Sequence, residues 1–173
     1  MDELLRYAIS DSDIRNITGI NNIIRYQDIK NYNDIDELLS VNNVVFILFE
    51  TKDNYGHWTV IFRNKNLIEF FDPYGVFIEK QKLFIEEEQF REPINWLSIL
   101  LKKSPYQISY NEIPFQNMKN KTIGTCGKWC IMRWLHRHKN LYDFEKMIKS
   151  DSMRYKMSYD SFIAYIFFYL FNI

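Results

Sequence analysis

VVFILFETKDNYGHWTVIFRNKNLIEFFDPYG, residues 44–75, decides how this chain is read. Val44-Val45-Phe46-Ile47-Leu48-Phe49 is an unbroken apolar run of β-branched and aromatic residues, the pattern of a buried central strand. Asp53-Asn54-Tyr55-Gly56 is a turn cluster and His57-Trp58-Thr59-Val60-Ile61-Phe62 a second strand. Asn64-Lys65-Asn66 turns the chain again, and Leu67-Ile68-Glu69-Phe70-Phe71 is a third strand running into Asp72-Pro73-Tyr74-Gly75. Turns this short join antiparallel neighbours. His57, opening the middle strand, and Asp72, closing the third, are therefore expected side by side at one edge of the sheet. Each has an ordinary reading as a turn residue; their joint placement favours chemistry.

A second stretch, Gly124-Thr125-Cys126-Gly127-Lys128-Trp129-Cys130, reads as a glycine-flanked turn into a helix from Trp129 to about His138. Unpaired N–H groups and the macrodipole at a helix start favour an anion. A cysteine placed there gains thiolate character and becomes a nucleophile. A buried structural cysteine is the competing reading, since a free thiol packs like a small hydrophobe. Cys130, one turn further on, is expected as a packed thiol facing the same side, and a bridge between the two cysteines has poor geometry. Zinc is a weak reading of Cys126, Cys130, His136 and His138: at about 100° per residue their side chains diverge, so no metal is expected.

Working outward, Asp2 to Ser10 has helical apolar spacing, Ser12 or Asp13 can cap a helix through Ile17 stopped by Gly19, Asn21 to Asn33 reads as polar loop with a turn of helix, and Asp34 to Leu39 as a short helix. Residues 1–40 are thus expected to form a helical lobe with no visible chemistry. Ile78 to Gln89 reads as a charged, solvated helix. Pro93 to Lys103 reads as a helix packing Ile94, Leu97, Ile99, Leu100 and Leu101 on the sheet, and Tyr106 to Tyr110 as a fourth strand. Helices are expected at Tyr142 to Lys149 and, capped by Ser158, at Tyr159 to Phe171. With no repeats and no linker, the expectation is one α+β domain over 1–173, with a mainly antiparallel central sheet flanked by helices, a core at 44–138 and C-terminal helices at 142–173.

The 173 residues are 47% hydrophobic and 17% aromatic, which excludes a disordered tail. Lys and Arg (22) balance Asp and Glu (22), so no global basic footprint for nucleic acid exists. Lys128, Arg133, His136, Arg137, His138 and Lys139 form one local basic patch around the cysteine helix. Met1-Asp2-Glu3 does not open a signal peptide, and the apolar run Phe162 to Phe171 is too short to span a bilayer core of about 30 Å. The expected setting is reducing and intracellular, with no membrane partner.

Nucleophile, base and acid then have assignable roles: Cys126 attacks a carbonyl, His57 holds the thiolate and later protonates the leaving amine, and Asp72 orients the imidazole. The backbone N–H of Cys126 and the side-chain amide of Gln116 are candidate donors for an oxyanion. The order His57-Trp58, then Asp72-Pro73-Tyr74-Gly75, then Gln116, then Cys126-Gly127 resembles the adenovirus protease and Ulp1/SENP superfamily of cysteine proteases. The strings DPYG and CGKWC are more similar to its viral maturation branch, found in large DNA viruses, virophages and Polinton-like elements. The resemblance covers about residues 44 to 138. It implies that His57, Asp72, Cys126 and Gln116 are catalytic and that Trp58 walls the substrate's approach. It implies the same fold family, a central sheet flanked by helices with the cysteine helix buried against it. No cofactor is expected. The implied substrates are viral structural precursors cut during particle maturation, beside small residues such as glycine, in the host cytoplasm or viral factory or inside the virion. Relatives of the adenovirus type use DNA as an activator, so an activating peptide or DNA is an expected partner. A protease removing ubiquitin-like or SUMO-like tails and a non-catalytic interaction module are the alternatives. In that family the glutamine stands closer to the cysteine than Gln116 does here, which leaves Asn117 or Asn120 as alternative amide donors.

Overall fold

The computed structural model describes residues 1–120 and 122–173. The three apolar runs form the middle of a five-stranded sheet: β2 (Val44–Lys52), β3 (Tyr55–Asn64) and β4 (Leu67–Phe71) make an antiparallel meander with Leu48 opposite Trp58 and Val60 opposite Phe71. Asn54 and Lys65 carry the left-handed backbone of the two connections, φ 55° and 56°, the conformation that tight hairpins demand. Outside the meander the sheet is not antiparallel. β1 (Ile23–Arg25) lies parallel to β2, and β5 (Gln107–Tyr110) parallel to β4. The expectation of a mainly antiparallel sheet is corrected to a mixed one. A parallel neighbour needs a long crossover, which the chain supplies between β4 and β5 through α4 (Trp96–Lys103).

Both faces of the sheet are covered, which explains the unbroken apolar run in β2. Phe46, Leu48, Trp58, Val60, Phe62 and Phe71 pack into one core with α2 (Asp11–Thr18), α5 (Cys126–Leu135), α6 (Leu141–Arg154) and α7 (Tyr159–Phe171). Val45, Ile47, Phe49, Ile61 and Phe70 pack into a second core with Tyr26, Ile29, α3 (Ile35–Leu38) and Leu97, Leu100 and Leu101 of α4. Ile94 and Ile99, expected on the sheet, are exposed.

Several local expectations change. Residues 1–40 are not a separate helical lobe: β1 belongs to the central sheet, and α1 (Asp2–Arg6) ends early because Tyr7 is extended. The cap of α2 is Ser10, not Ser12 or Asp13, in a capping box with Asp13, and Gly19 closes the helix in the left-handed region. The charged stretch Ile78 to Gln89 is not a helix. It holds two 3₁₀ turns, Lys80–Phe84 and Glu88–Phe90, after Glu79 at φ 68°. The Glu79 carboxylate is drawn inside instead, where it accepts hydrogen bonds from the N–H groups of Leu97 and Ser98 at the start of α4. The cysteine helix begins at Cys126 rather than Trp129. The polar sequence from Asn117 to Thr122, which leads into the cysteine helix, includes Lys121, which lies outside the described residues. Among the described residues no helix is long and apolar enough to cross a membrane.

Candidate active site

Cys126 is the first residue of α5, which lies against β3. Its thiol is buried, at 8% exposure, and both cysteines are free. The first N–H groups of a helix have no carbonyl a turn earlier to bond, so they are available around the sulfur. Gly127 is required by packing: a Cβ there would come within 2.5 Å of the Cβ of Ile9. Cys130 is fully buried below Cys126, and its thiol donates to the carbonyl of Trp58 at 3.3 Å. Burial, then the charges of Cys126 and Asp72, raise its pKa well above the ordinary thiol value, so it remains a packed thiol.

His57 and Asp72 meet as the hairpin register requires. Nε2 of the ring lies 2.6 Å from Oδ1 of Asp72, which is wholly buried. Three donors converge on that carboxylate: His57, the backbone N–H of Tyr74 at 2.9 Å on Oδ1, and Nε2 of Gln81 at 2.6 Å on Oδ2. The main chain of Asp72 is fixed as well. Its N–H donates to Oδ1 of Asn111 at 2.8 Å, and Nδ2 of Asn111 donates back to its carbonyl at 2.6 Å. Asn111 thus continues the β4–β5 pairing one residue past the strand. Gly75 closes the turn, donating to the carbonyl of Asp72 at 2.8 Å. Its φ is 67°, and a Cβ would fall 2.7 Å from the Ile113 backbone, so only glycine fits.

The electrostatics follow from this packing. Burial pulls the His57 pKa down, but the Asp72 charge and hydrogen bond, with a further contribution from Cys126, lift it to about 9. Burial pushes the Cys126 thiol up; hydrogen bonding and charge from His57, helped by the amides of Trp58 and Gly127, outweigh it and bring the pKa below the ordinary value. Each group favours the charged form of the other, the condition for a thiolate–imidazolium pair. With Nε2 committed to Asp72, Nδ1 is the nitrogen left for the sulfur, and among the described residues it has no hydrogen-bond partner.

Gln116 is buried close by. The N–H groups of Phe115 and Gln116 both donate to the carbonyl of Pro73, at 2.8 and 2.9 Å, tying this loop to the Asp72 turn. Its side-chain Nε2 donates to the carbonyl of Ile123 at 2.9 Å, leaving one amide hydrogen uncommitted. Gln116, His57, Trp58, Tyr74 and Cys126 all line a cleft of about 760 Å³. Trp58 lines it and also belongs to the core, its indole N–H donating to the carbonyl of Ile9 at 2.9 Å. The amide of Asn120 has local turn partners: its Oδ1 accepts from Thr122.

The N-terminal segment, expected to carry no chemistry, forms part of the cleft wall through Ala8, Ile9, Ser10 and Asp11. It is strapped across the start of α5. Gly124 donates to the carbonyl of Leu5 at 2.8 Å, and Nζ of Lys128 to those of Leu4 (3.2 Å) and Tyr7 (2.5 Å). Lys128 is fully buried, and burial lowers its pKa to about 8 against the opposing charges of Cys126 and Asp13. The basic patch is corrected accordingly. Lys128 faces inward, and Arg133, also fully buried, forms a two-pronged ion pair with Glu69 at 2.6 and 2.9 Å. Arg137 and His138 are the exposed remnant.

Gln81, Asn111 and the N-terminal strap were not legible as site residues. Gln81 lies in a stretch whose charge pattern reads as a solvated face, and Asn111 ends a strand where turn residues are common; neither carries a local signal. Tyr74 was inside a quoted motif without a role. Its ring stacks on that of His57.

The fold and the cleft define an α+β protein with a buried cysteine, histidine and aspartate gathered at the end of a mixed sheet. The chain is 37% identical over 175 residues to "Uncharacterized protein V9" of Sputnik virophage, covering 96% of this chain and 99% of the relative, and it belongs to that protein's family. No protein-family model matches the chain.

Proposed function

We propose that this protein is a cysteine endopeptidase of the adenovirus-protease and Ulp1-like type, acting on viral structural precursors during particle maturation. The observation that carries the reading is the His57–Asp72 hydrogen bond of 2.6 Å on an imidazole whose pKa Cys126 helps to raise, with His57 and Cys126 lining one cleft and Asp72 buried behind them. The Cys126 thiolate attacks the scissile carbonyl carbon, forming a C–S bond and a tetrahedral oxyanion. The N–H of Cys126 and the free amide hydrogen of Gln116 supply the donors such an oxyanion needs. The imidazolium gives its Nδ1 proton to the amine as the C–N bond breaks, leaving a thioester. Nδ1 then takes a proton from water, the hydroxide attacks the thioester carbon, and the C–S bond breaks to regenerate the thiolate. Asp72 orients the imidazole and balances the imidazolium.

The kinship with a virophage protein supports a viral substrate. A reducing host cytoplasm or viral factory, and packaging in the particle, are part of the same reading. The test is co-expression with structural precursors of the same genome. Cleavage by wild type and not by Cys126→Ala supports maturation. Cleavage of ubiquitin-like conjugates alone replaces it with deconjugation. Failure of wild type to form a covalent adduct with a thiol-directed peptide probe leaves a non-catalytic module.

A further inference from the structure

Gln116 and Cys126 lie at the two ends of a loop, and an oxyanion hole made from them works only if that loop holds its ends in register. Oxyanion donors act at about 2.7–3.1 Å from the developing charge, so a loose loop forfeits them. We infer that Asp160 is the positioning residue of the oxyanion hole, clamping both donors through one carboxylate; this rests on the proposed acyl-transfer reading.

Asp160 lies in the first turn of α7, where the helix dipole favours an anion, and is 6% exposed. Its Oδ1 accepts a hydrogen bond from the hydroxyl of Thr125 at 2.5 Å, and its Oδ2 accepts from the backbone N–H of Asn117 at 2.9 Å. Thr125 immediately precedes Cys126, and Asn117 immediately follows Gln116. The two oxygens of one carboxylate therefore hold the neighbours of the two donors. Thr125 occupies the cap position of α5, where a threonine hydroxyl ordinarily bonds the helix N–H groups, yet it makes no cap hydrogen bond. Its hydroxyl is given to Asp160, which leaves the N–H groups at the start of α5 uncapped beside the sulfur. Charge-assisted bonds of this kind are shorter and stronger than neutral ones, which suits a clamp. Asp160 touches neither sulfur nor imidazole by hydrogen bond, so its role separates from that of the triad.

Two probes of Cys126 make the separation measurable on the full chain. Iodoacetamide is attacked at a saturated carbon: a C–S bond forms as iodide leaves, and no oxyanion arises. The p-nitrophenyl ester of N-acetylglycine is attacked at its carbonyl: a tetrahedral oxyanion forms, then collapses to the thioester as p-nitrophenolate leaves. Asp160→Asn and the near-isosteric Thr125→Val should slow ester acylation about tenfold or more, up to the roughly 10²- to 10³-fold cost of losing an oxyanion donor outright, and leave alkylation unchanged. In a Gln116→Ala background, Asp160→Asn should cost much less than it does alone, since residues acting through one another are not additive. Equal slowing with both probes, full additivity with Gln116→Ala, or undiminished acylation in both variants overturns the positioning role while wild-type acylation stands. A wild type that is alkylated at Cys126 but never releases p-nitrophenolate overturns the acyl-transfer reading, and the clamp with it.

Discussion

The imidazole of His57 lies flat on the ring of Tyr74, their centroids 4.0 Å apart and their planes 4° from parallel. The hydrogen bond to Asp72 fixes one direction of the ring, and this stack fixes its plane, so Nδ1 is held in one orientation. The two constraints come from one turn, because the N–H of Tyr74 also bonds the Asp72 carboxylate. Burial, with the charges of Cys126 and Asp72, raises the phenol's pKa, so the hydroxyl stays neutral and the ring contributes its face. Tyr74→Phe should therefore turn over substrate almost as wild type does. Tyr74→Ala should lose roughly 10- to 100-fold in kcat, the scale of a small misplacement of a catalytic group, read from single-turnover acylation.

Removing the proposed base, His57, should separate activity from folding. His57→Ala should lower turnover by about 10² to 10⁴-fold, the range for general acid–base catalysis, and Cys126→Ala should abolish it. Circular dichroism of both variants should match wild type. Wild-type cleavage rates in His57→Ala would end the triad reading.

The pH dependence has a definite sign. On the proposed reading, the thiolate–imidazolium pair is the reactive form between the lowered pKa of Cys126 and the His57 value of about 9. Peptide turnover should rise through the first and fall above about pH 9, where the proton needed by the leaving amine is lost. The folded-state pKa of His57 exceeds its ordinary 6.5. Its contribution to stability is thus full below about pH 6.5 and disappears as pH climbs through about 9. Urea midpoints measured at both ends of that window should fall with pH more steeply for wild type than for His57→Ala.

Gln81→Leu should leave a buried carboxylate oxygen of Asp72 without its donor. An unsatisfied buried acceptor costs about 1–3 kcal/mol, measurable by urea unfolding. A variant as stable as wild type would show that the contact contributes nothing.

Gly127→Ala should drive the N-terminal strap off α5, because the added Cβ meets Ile9. Overpacking of this kind costs about 1–3 kcal/mol. Ile9→Gly in the same chain, which removes the Cβ that the alanine meets, should restore part of the loss, and amide exchange in residues 4–9 should quicken in the Gly127→Ala variant and slow again in the double.

Local pattern was enough for the meander. Alternating turn clusters and apolar runs place β2, β3 and β4, and the two-residue period of strands then brings His57 beside Asp72 with no knowledge of the rest. The α7 helix and its Ser158 cap were equally legible, since caps and apolar spacing are local. β1 was not, because its three residues are too few to show a period. Helical spacing at Leu4, Leu5, Ala8 and Ile9 predicted a longer α1, but hydrogen bonds from Gly124, Lys128 and Trp58 hold the segment extended.

The sequence by itself therefore determined the sheet's centre, the pairing of imidazole with carboxylate and the placement of a cysteine where a helix begins, because each depends on neighbours a few residues away. Only the tertiary structure decided that Lys128 and Arg133 point inward, that Gln81 and Asn111 hold Asp72, and that Asp160 bridges Thr125 and Asn117. Those outcomes rest on buried polar groups finding partners from distant segments, and no periodicity along the chain records which partner will be there.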